Sequence, residues 1–463
     1  MTDVCSRRND STLPSRAVGG RRTTHIFLMP QNYKWTNESV LNFAGGADPV
    51  TTMEGRARAL SLQAMDEGWT GPPFDPLILA QRLGLDIEAR GDIADARLLP
   101  AADGKMVLEY NPTRPRGRLR FSIAHEIAHT LFSDCADQVR HRGGDPAASP
   151  DNWQLEVLCN IGAAELLMPS GSFTQLADQR LSIHKVMELR KQYDVSVEAC
   201  LIRLIKLART PCAAFCASAH EGVYKVDYII PALGYDCPVS VGLRVPEDSA
   251  VSEANAIGFT AIGTEEWIPG KPLRVECVGL APYPGGLVPR VVGLLIASEG
   301  TEYQAPEILE VDGDALKPRG TGPQLIAHVI PDTSSAWGGN GFASQLRRRF
   351  PDVWADFRTE TTARHRVPKL GEVFVGPMTD NICVAHMVAQ RGIGASPTQR
   401  LRYAALAKCL TEVRRAAEDL GASVHMPRVG TGHGGASWDI VKELIAEELV
   451  DKGIATTVYR WPG

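Results

Sequence analysis

Residues 120–132 read Arg120-Phe121-Ser122-Ile123-Ala124-His125-Glu126-Ile127-Ala128-His129-Thr130-Leu131-Phe132. On an α-helix, positions i and i+4 share a face, so His125 and His129 can address a single cation. Glu126 falls one residue on, beside that cation rather than upon it. That is where a general base for a metal-activated water belongs. Ile123, Ile127, Leu131 and Phe132 supply an apolar side that anchors the helix in a core. The bland alternative is a chance His-Glu-x-x-His on a surface helix. With only 11 histidines in the chain, that coincidence arises in about one chain in a hundred of this size.

Two ligands do not hold zinc. A catalytic site takes a third from the protein and leaves water in the fourth position. Downstream candidates are Asp134, His141, Glu156 and Glu165. Glu156 and Glu165 share one predicted helix but lie about two and a half turns apart, so they face opposite ways. Glu156 has Asn160 and Ala163 on its own face, polar then small, which suits a helix packed close to a metal. It is the expected third arm, with His141, in a Gly-rich loop, as the reserve.

Outward from this motif, 463 residues imply two or three domains. A net charge of −5 gives no global attraction to nucleic acid or acidic membranes. No apolar run approaches the ~20 residues of a membrane span. Ten cysteines without a Cys-x-x-Cys pair argue against a disulfide framework and for a reducing cytoplasm. Residues 1–51, with an Arg-rich start and no signal-peptide core, are expected to be a disordered extension.

Residues 52–209 are mainly helical. Helices are expected at 53–67, 76–83, 119–133 and 153–168, and short strands at 85–88, 96–99 and 106–110. The strand 106–110 offers an edge on which an extended peptide could pair. A helix pair follows at 182–193 and 196–207, with Ser196 placed as an N-cap. Such spacing occurs in DNA-reading helix-turn-helix units, with Lys185, Arg190, Lys191, Arg203 and Lys206 as the basic residues. Glu188, Asp194 and Glu198 dilute that face, so packing beneath the catalytic helix is the expected role and direct DNA binding is not.

Residues 210–305 read as a small β-rich domain, with strands at 223–230, 239–243, 273–278 and 291–297, and no legible chemistry. From 306 to 463 strands and helices alternate, which argues an α/β sheet with helices on both faces. Gly-rich segments at Gly313-Asp314-Ala315, at 337–343 and at Gly430-Thr431-Gly432-His433-Gly434-Gly435 stand at expected strand ends. The last two precede helices. Glycines there let backbone N–H groups approach phosphates, and the helix N-termini favour anions.

The run 120–132, followed by Glu156-x-x-x-Asn160 and Ala163-Ala164-Glu165-Leu166-Leu167-Met168-Pro169, resembles the ImmA/IrrE metallopeptidases. Upstream, Tyr110-Asn111-Pro112 adds to the likeness, which covers about residues 53–207. The resemblance implies zinc held by His125, His129 and Glu156, with Glu126 as base. It also implies a cleaved protein partner, often a helix-turn-helix repressor, in stress or mobile-element regulation. In that family the paired helices are usually structural.

The C-terminal segments are similar to a macro domain, through Ile326-Ala327-His328-Val329, the 337–343 loop and Met426-Pro427-Arg428-Val429-Gly430-Thr431-Gly432. That likeness implies binding of ADP-ribose or an ADP-ribosylated protein. Asp314 and Ala315 would lie at the adenine. Gly338, Gly339, Gly341 and Phe342, with Gly430, Thr431, Gly432, His433 and Gly434, would lie at the distal ribose and diphosphate. The sequence departs from the hydrolase branch, whose Lys and Asp are replaced by Ala389-Gln390-Arg391 and His433-Gly434-Gly435. Only His328 remains as a possible catalytic group.

The expected architecture is therefore multidomain: an α+β zincin-like metallopeptidase domain (52–209), a β-rich middle domain (210–305) and an α/β macro-like domain (306–463). The expected function is a zinc endopeptidase linked to ADP-ribose recognition. The alternative is an ADP-ribose reader or hydrolase whose peptidase domain is a scaffold.

Overall fold

A computed structural model of the chain describes residues 34–101, 105–135, 151–173, 181–282, 288–298, 306–333, 341–363, 366–394, 396–432 and 434–461. His141, Gly338, Gly339 and His433 lie outside the described residues.

The expected extension is ordered in its last part. Helix α1 (Glu38–Ala44) is capped by the Asn37 side chain, which accepts from the Val40 amide. It forms because Val40 and Phe43 have a core to enter: Phe43 stacks on Phe132, with ring centroids 4.2 Å apart. Helix α2 (Pro49–Asp66) starts with Asp48 as cap and Pro49 in its first turn. Helix α3 (Pro76–Arg82) repeats that device with Asp75 and Pro76.

Strands β1 (Asp86–Ala89), β2 (Ala96–Pro100) and β3 (Met106–Tyr110) form a sheet in the order β1-β3-β2. The open edge beside the helix at 116–129 is therefore β2, and β3, expected as an edge, is central. Parallel pairing of β1 with β3 takes up its second side. Helices α4 (Arg116–His129) and α5 (Asn152–Leu167) pack side by side, α4 against this sheet and α5 against α2. Helices α6 (Ile183–Tyr193) and α7 (Val197–Leu207) are capped by Ser182 and Ser196.

The middle unit is a five-stranded antiparallel sheet in the order β5-β4-β8-β7-β6. Its elements are β4 (Cys212–His220), β5 (Val223–Pro231), the short α8 (Ala250–Glu253), β6 (Thr260–Ile268), β7 (Lys271–Leu280) and β8 (Arg290–Ala297). No strand forms at 239–243. That stretch is a turn closed onto Val226, with Gly242 at φ +84°. Strand β4 was not expected, because small residues buried on both faces erase its alternation. One face of the sheet packs on α6 and α7 and shares their core.

The C-terminal unit holds β9 (Leu309–Asp312), β10 (Gln324–Pro331), α9 (Phe342–Arg349), α10 (Pro351–Arg358), β11 (Val373–Val375), β12 (Ile382–Gln390), α11 (Tyr403–Leu420), β13 (Ser423–Pro427), α12 (Trp438–Glu448) and β14 (Thr456–Arg460). Its strand order is β11-β12-β10-β13-β14-β9, parallel except for β11. Helices α11 and α12 cover one face, and α9 and α10 the other. Among the described residues no helix is long and apolar enough to cross a membrane.

This unit is bolted to the first by buried charge. Arg203 of α7 reaches Glu443 at 3.0 Å, and Arg58 of α2 reaches Glu447 at 2.6 Å. Burial first, then the Glu447 carboxylate, push the Glu443 carboxyl up, against the pull of Arg203. At the other end of α2, Asp66 accepts from the amides of Tyr403 and Ala404 at 2.9 and 3.2 Å, capping α11 across the interface.

In the C-terminal sheet His328 and His386 are cross-strand partners in hydrogen-bond contact, both buried. Burial lowers the His328 imidazole to about 3 and holds His386 well below its usual range, His328 adding to the latter shift. The unfolded chain therefore takes up protons first on acidification. Stability from this pair is complete above about pH 6.5 and is lost as the pH falls toward 3. At pH 5, His328 alone should remove about 2 kcal/mol from the C-terminal unit. Urea unfolding at pH 7 and pH 5 measures this, and His328→Gln should flatten the difference.

Candidate metal centre

Helix α4 carries His125 and His129 on the face turned to α5, and α5 returns Glu156, Cys159 and Asn160 toward them. The Nδ1 of His125 meets Asn160 Oδ1 at 2.8 Å, and the Nδ1 of His129 meets Cys159 Sγ at 3.1 Å. With both Nδ1 atoms engaged, the two Nε2 atoms turn inward and stand 3.2 Å apart. Glu156 approaches the same point, 3.2 Å from His125 Nε2 and 3.9 Å from His129 Nε2.

Ligand atoms bound tetrahedrally to zinc at 2.0–2.1 Å stand roughly 3.3 Å from one another. The two imidazole nitrogens stand at such a spacing, and Glu156 presents one carboxylate oxygen toward each of them. The Glu126 carboxylate is also within 4.8 Å of the ring nitrogens. It belongs to the same helix as the imidazoles, whereas Glu156 faces them from across the cleft. The residues His125, Glu126, His129 and Glu156 are thus brought to one place. Glu165 is not: it turns to the opposite side of α5, 3.5 Å from Arg203. Asp134 is engaged with the Ser39 hydroxyl.

A cleft of about 890 Å³ opens over this centre. Its walls are Asp95 and Ala96 at the start of β2, Phe121 and Ser122 of α4, Ala164 of α5, and the α6–α7 turn. The acids in its walls are matched by arginines. Arg118 holds Asp95 at 2.6 Å; Asp194 pairs with Arg116, and with Arg120 at 3.6 Å.

Sequence reading did not assign Cys159 this place. Its Sγ sits at Nδ1, on the far side of the His129 ring from Nε2. The available signal was spacing: positions 159 and 160 follow Glu156 by three and four residues, on its face of the helix.

In the C-terminal unit, Asp314 follows β9, Gly341 and Phe342 follow the loop after β10, and Gly430 to Gly434 follow β13. These strands are parallel, so all three segments lie at one end of the sheet. The Gly434 backbone passes so close to Gly430 O that a Cβ would stand 2.4 Å from it. Asp314 Oδ1 accepts from the Leu316 amide, Ala315 is buried, and Thr431 Oγ1 donates to Arg428 O.

Residues 80–204 match the family described as the IrrE N-terminal-like domain of M78 peptidases. Over 154 residues the chain is 29% identical to the radiation response metalloprotease IrrE of Deinococcus deserti, a match covering 31% of this chain and 54% of that protein. The macrodomain protein of Streptomyces coelicolor is 36% identical, with 33% of this chain and 98% of that one covered, at a TM-score of 0.29. The chain joins an ImmA/IrrE-type peptidase domain to a macro domain. A chromodomain-helicase-DNA-binding protein 1-like from Danio rerio is 28% identical over 171 residues, 35% of this chain and 16% of that protein. The chain thus spans about half of IrrE and under a fifth of the helicase-like relative.

Within the peptidase domain, the Asn160 contact should set the orientation of His125. Asn160→Ala removes the Nδ1 acceptor, and metal affinity should fall about 10–100-fold. Competition against a chromogenic chelator reads this directly.

Proposed function

We propose that the chain is a zinc endopeptidase acting on a regulatory protein, joined to a macro domain that binds ADP-ribose or an ADP-ribosylated protein. The observation that carries the first half is the pair of Nε2 atoms 3.2 Å apart, with the Glu156 carboxylate at the same distance from one of them. His125, His129 and Glu156 are the ligands in this reading. Zinc, when bound, supplies a Lewis acid that acidifies water and polarises a carbonyl.

Glu126 takes a proton from the attacking water and delivers it to the leaving amide nitrogen, so that water is added across the peptide bond. Asn160 and Cys159 fix the tautomers of the two imidazoles. The substrate is an extended segment lying along the free edge of β2, whose first residue lines the cleft. A helix-turn-helix repressor is the substrate type implied by the family likeness.

For the macro domain, Asp314, Ala315, Gly341, Phe342, Gly430, Thr431, Gly432 and Gly434 are the proposed ADP-ribose contacts. The parallel order of β9, β10 and β13 supports this by gathering them at one sheet end. Gly338, Gly339 and His433 belong to the same proposal. Binding without turnover is favoured, because His328 is 2% exposed and engaged with His386.

Glu126→Gln should retain stoichiometric zinc and lose cleavage by at least a hundredfold; cleavage retained by this variant removes Glu126 from the base role. Calorimetry with ADP-ribose should give a saturable heat in the micromolar range, and no heat at millimolar ligand would exclude the binding site.

A further inference from the structure

The α6–α7 pair carries five basic residues, and the fold uses three of them. Arg203 is buried against Glu443 and Glu165, Lys206 pairs with Glu54, and Lys185 reaches Glu188 at 3.1 Å. Arg190 and Lys191, in the last turn of α6, both line the catalytic cleft. Neither has a carboxylate partner among the described residues. The Arg190 Nε is buried and meets no acceptor.

A buried guanidinium N–H without an acceptor is unfavourable, and more so when charged. Asp95 and Asp194 already have their arginines, while Glu126 and Glu156 flank the metal position. Arg190 and Lys191 are therefore the two cleft cations that no acid of the described residues pairs, on the wall formed by the α6–α7 turn. A planar guanidinium takes a carboxylate in two parallel hydrogen bonds, and Lys191 adds a second point charge beside it.

On the peptidase reading given above, we infer that Arg190, assisted by Lys191, is a specificity-determining residue that receives an Asp or Glu side chain of the substrate near the scissile bond. The partner class is thus an acidic peptide segment, and the two cations left over from the helix pair serve protein recognition.

The test uses the full chain loaded with zinc and a proteome-derived peptide library, with cleaved bonds read by mass spectrometry. Wild type should enrich Asp and Glu at one fixed position relative to the cut. For a matched pair of peptides differing only by Glu or Gln there, the ratio of kcat/KM should be roughly tenfold or more, expressed in KM. Arg190→Gln should bring that ratio close to one, and Lys191→Gln, at an exposed position, should lower it part of the way. Arg190→Glu should turn the preference toward Lys or Arg. Zinc content and thermal midpoint establish that each variant is folded. Cleavage without acidic enrichment overturns this inference and leaves the peptidase standing. If zinc-loaded wild type cleaves no peptide, both fall.

Discussion

The metal centre depends on how closely α4 and α5 approach. At their crossing Gly162 faces Ala128 and the Met53 side chain of α2. A Cβ on Gly162 would lie 2.9 Å from Ala128 Cβ and 2.8 Å from Met53 Sδ. Three helices therefore meet where one of them has no side chain. Even a single methyl would force them apart, an overpacking penalty of about 1–3 kcal/mol. The larger consequence is geometric. Glu156, Cys159 and Asn160 ride on α5 within two turns of Gly162, whereas both imidazoles ride on α4. A displacement of the helices by a fraction of an ångström changes every distance at the metal position together.

The same α2 that fixes this crossing also fixes the macro domain. Its Met53 stands in the helix contact, its Arg58 pairs with Glu447 and Glu448, and its last residue, Asp66, caps α11. The residues just before that cap are bound in turn to the last Gly-rich loop, since the amides of Arg400 and Leu401 both donate to Gly434 O. A continuous line of packed backbone therefore runs from the macro-domain loop through residues 400–404 and α2 to the helix bearing Glu156. The two domains share a structural element rather than a flexible tether.

Much of this was legible in the sequence where one physical rule dominates locally. The i, i+4 imidazoles, the face of Glu156, the Ser182 and Ser196 caps, and the alternation of strand and helix after residue 306 all follow from short-range periodicity. Features set by tertiary context were not legible. Helix α1 has too few apolar residues to declare itself and is stabilised by Phe132, far along the chain. Strand β4 lacks alternation because both its faces are buried. Strand β3 is central rather than an edge because its parallel partner β1 arrives from before the intervening strand, which no local pattern records. The contact of Cys159 with the far side of the His129 ring is set by how α5 meets α4, which short-range periodicity does not record.

That position has a chemical consequence. A second-sphere partner is commonly a carboxylate or carbonyl, which draws the Nδ1 proton and raises the basicity of Nε2. A thiol is a weak acceptor, so His129 is oriented by Cys159 but gains little electron density from it. His125, bonded to the harder amide oxygen of Asn160, gains more. The two imidazoles are thus inequivalent, although the motif that places them is symmetric. The difference arises in α5 rather than in the helix that carries them, so what tunes the centre lies outside the His-Glu-x-x-His segment by which it was first found.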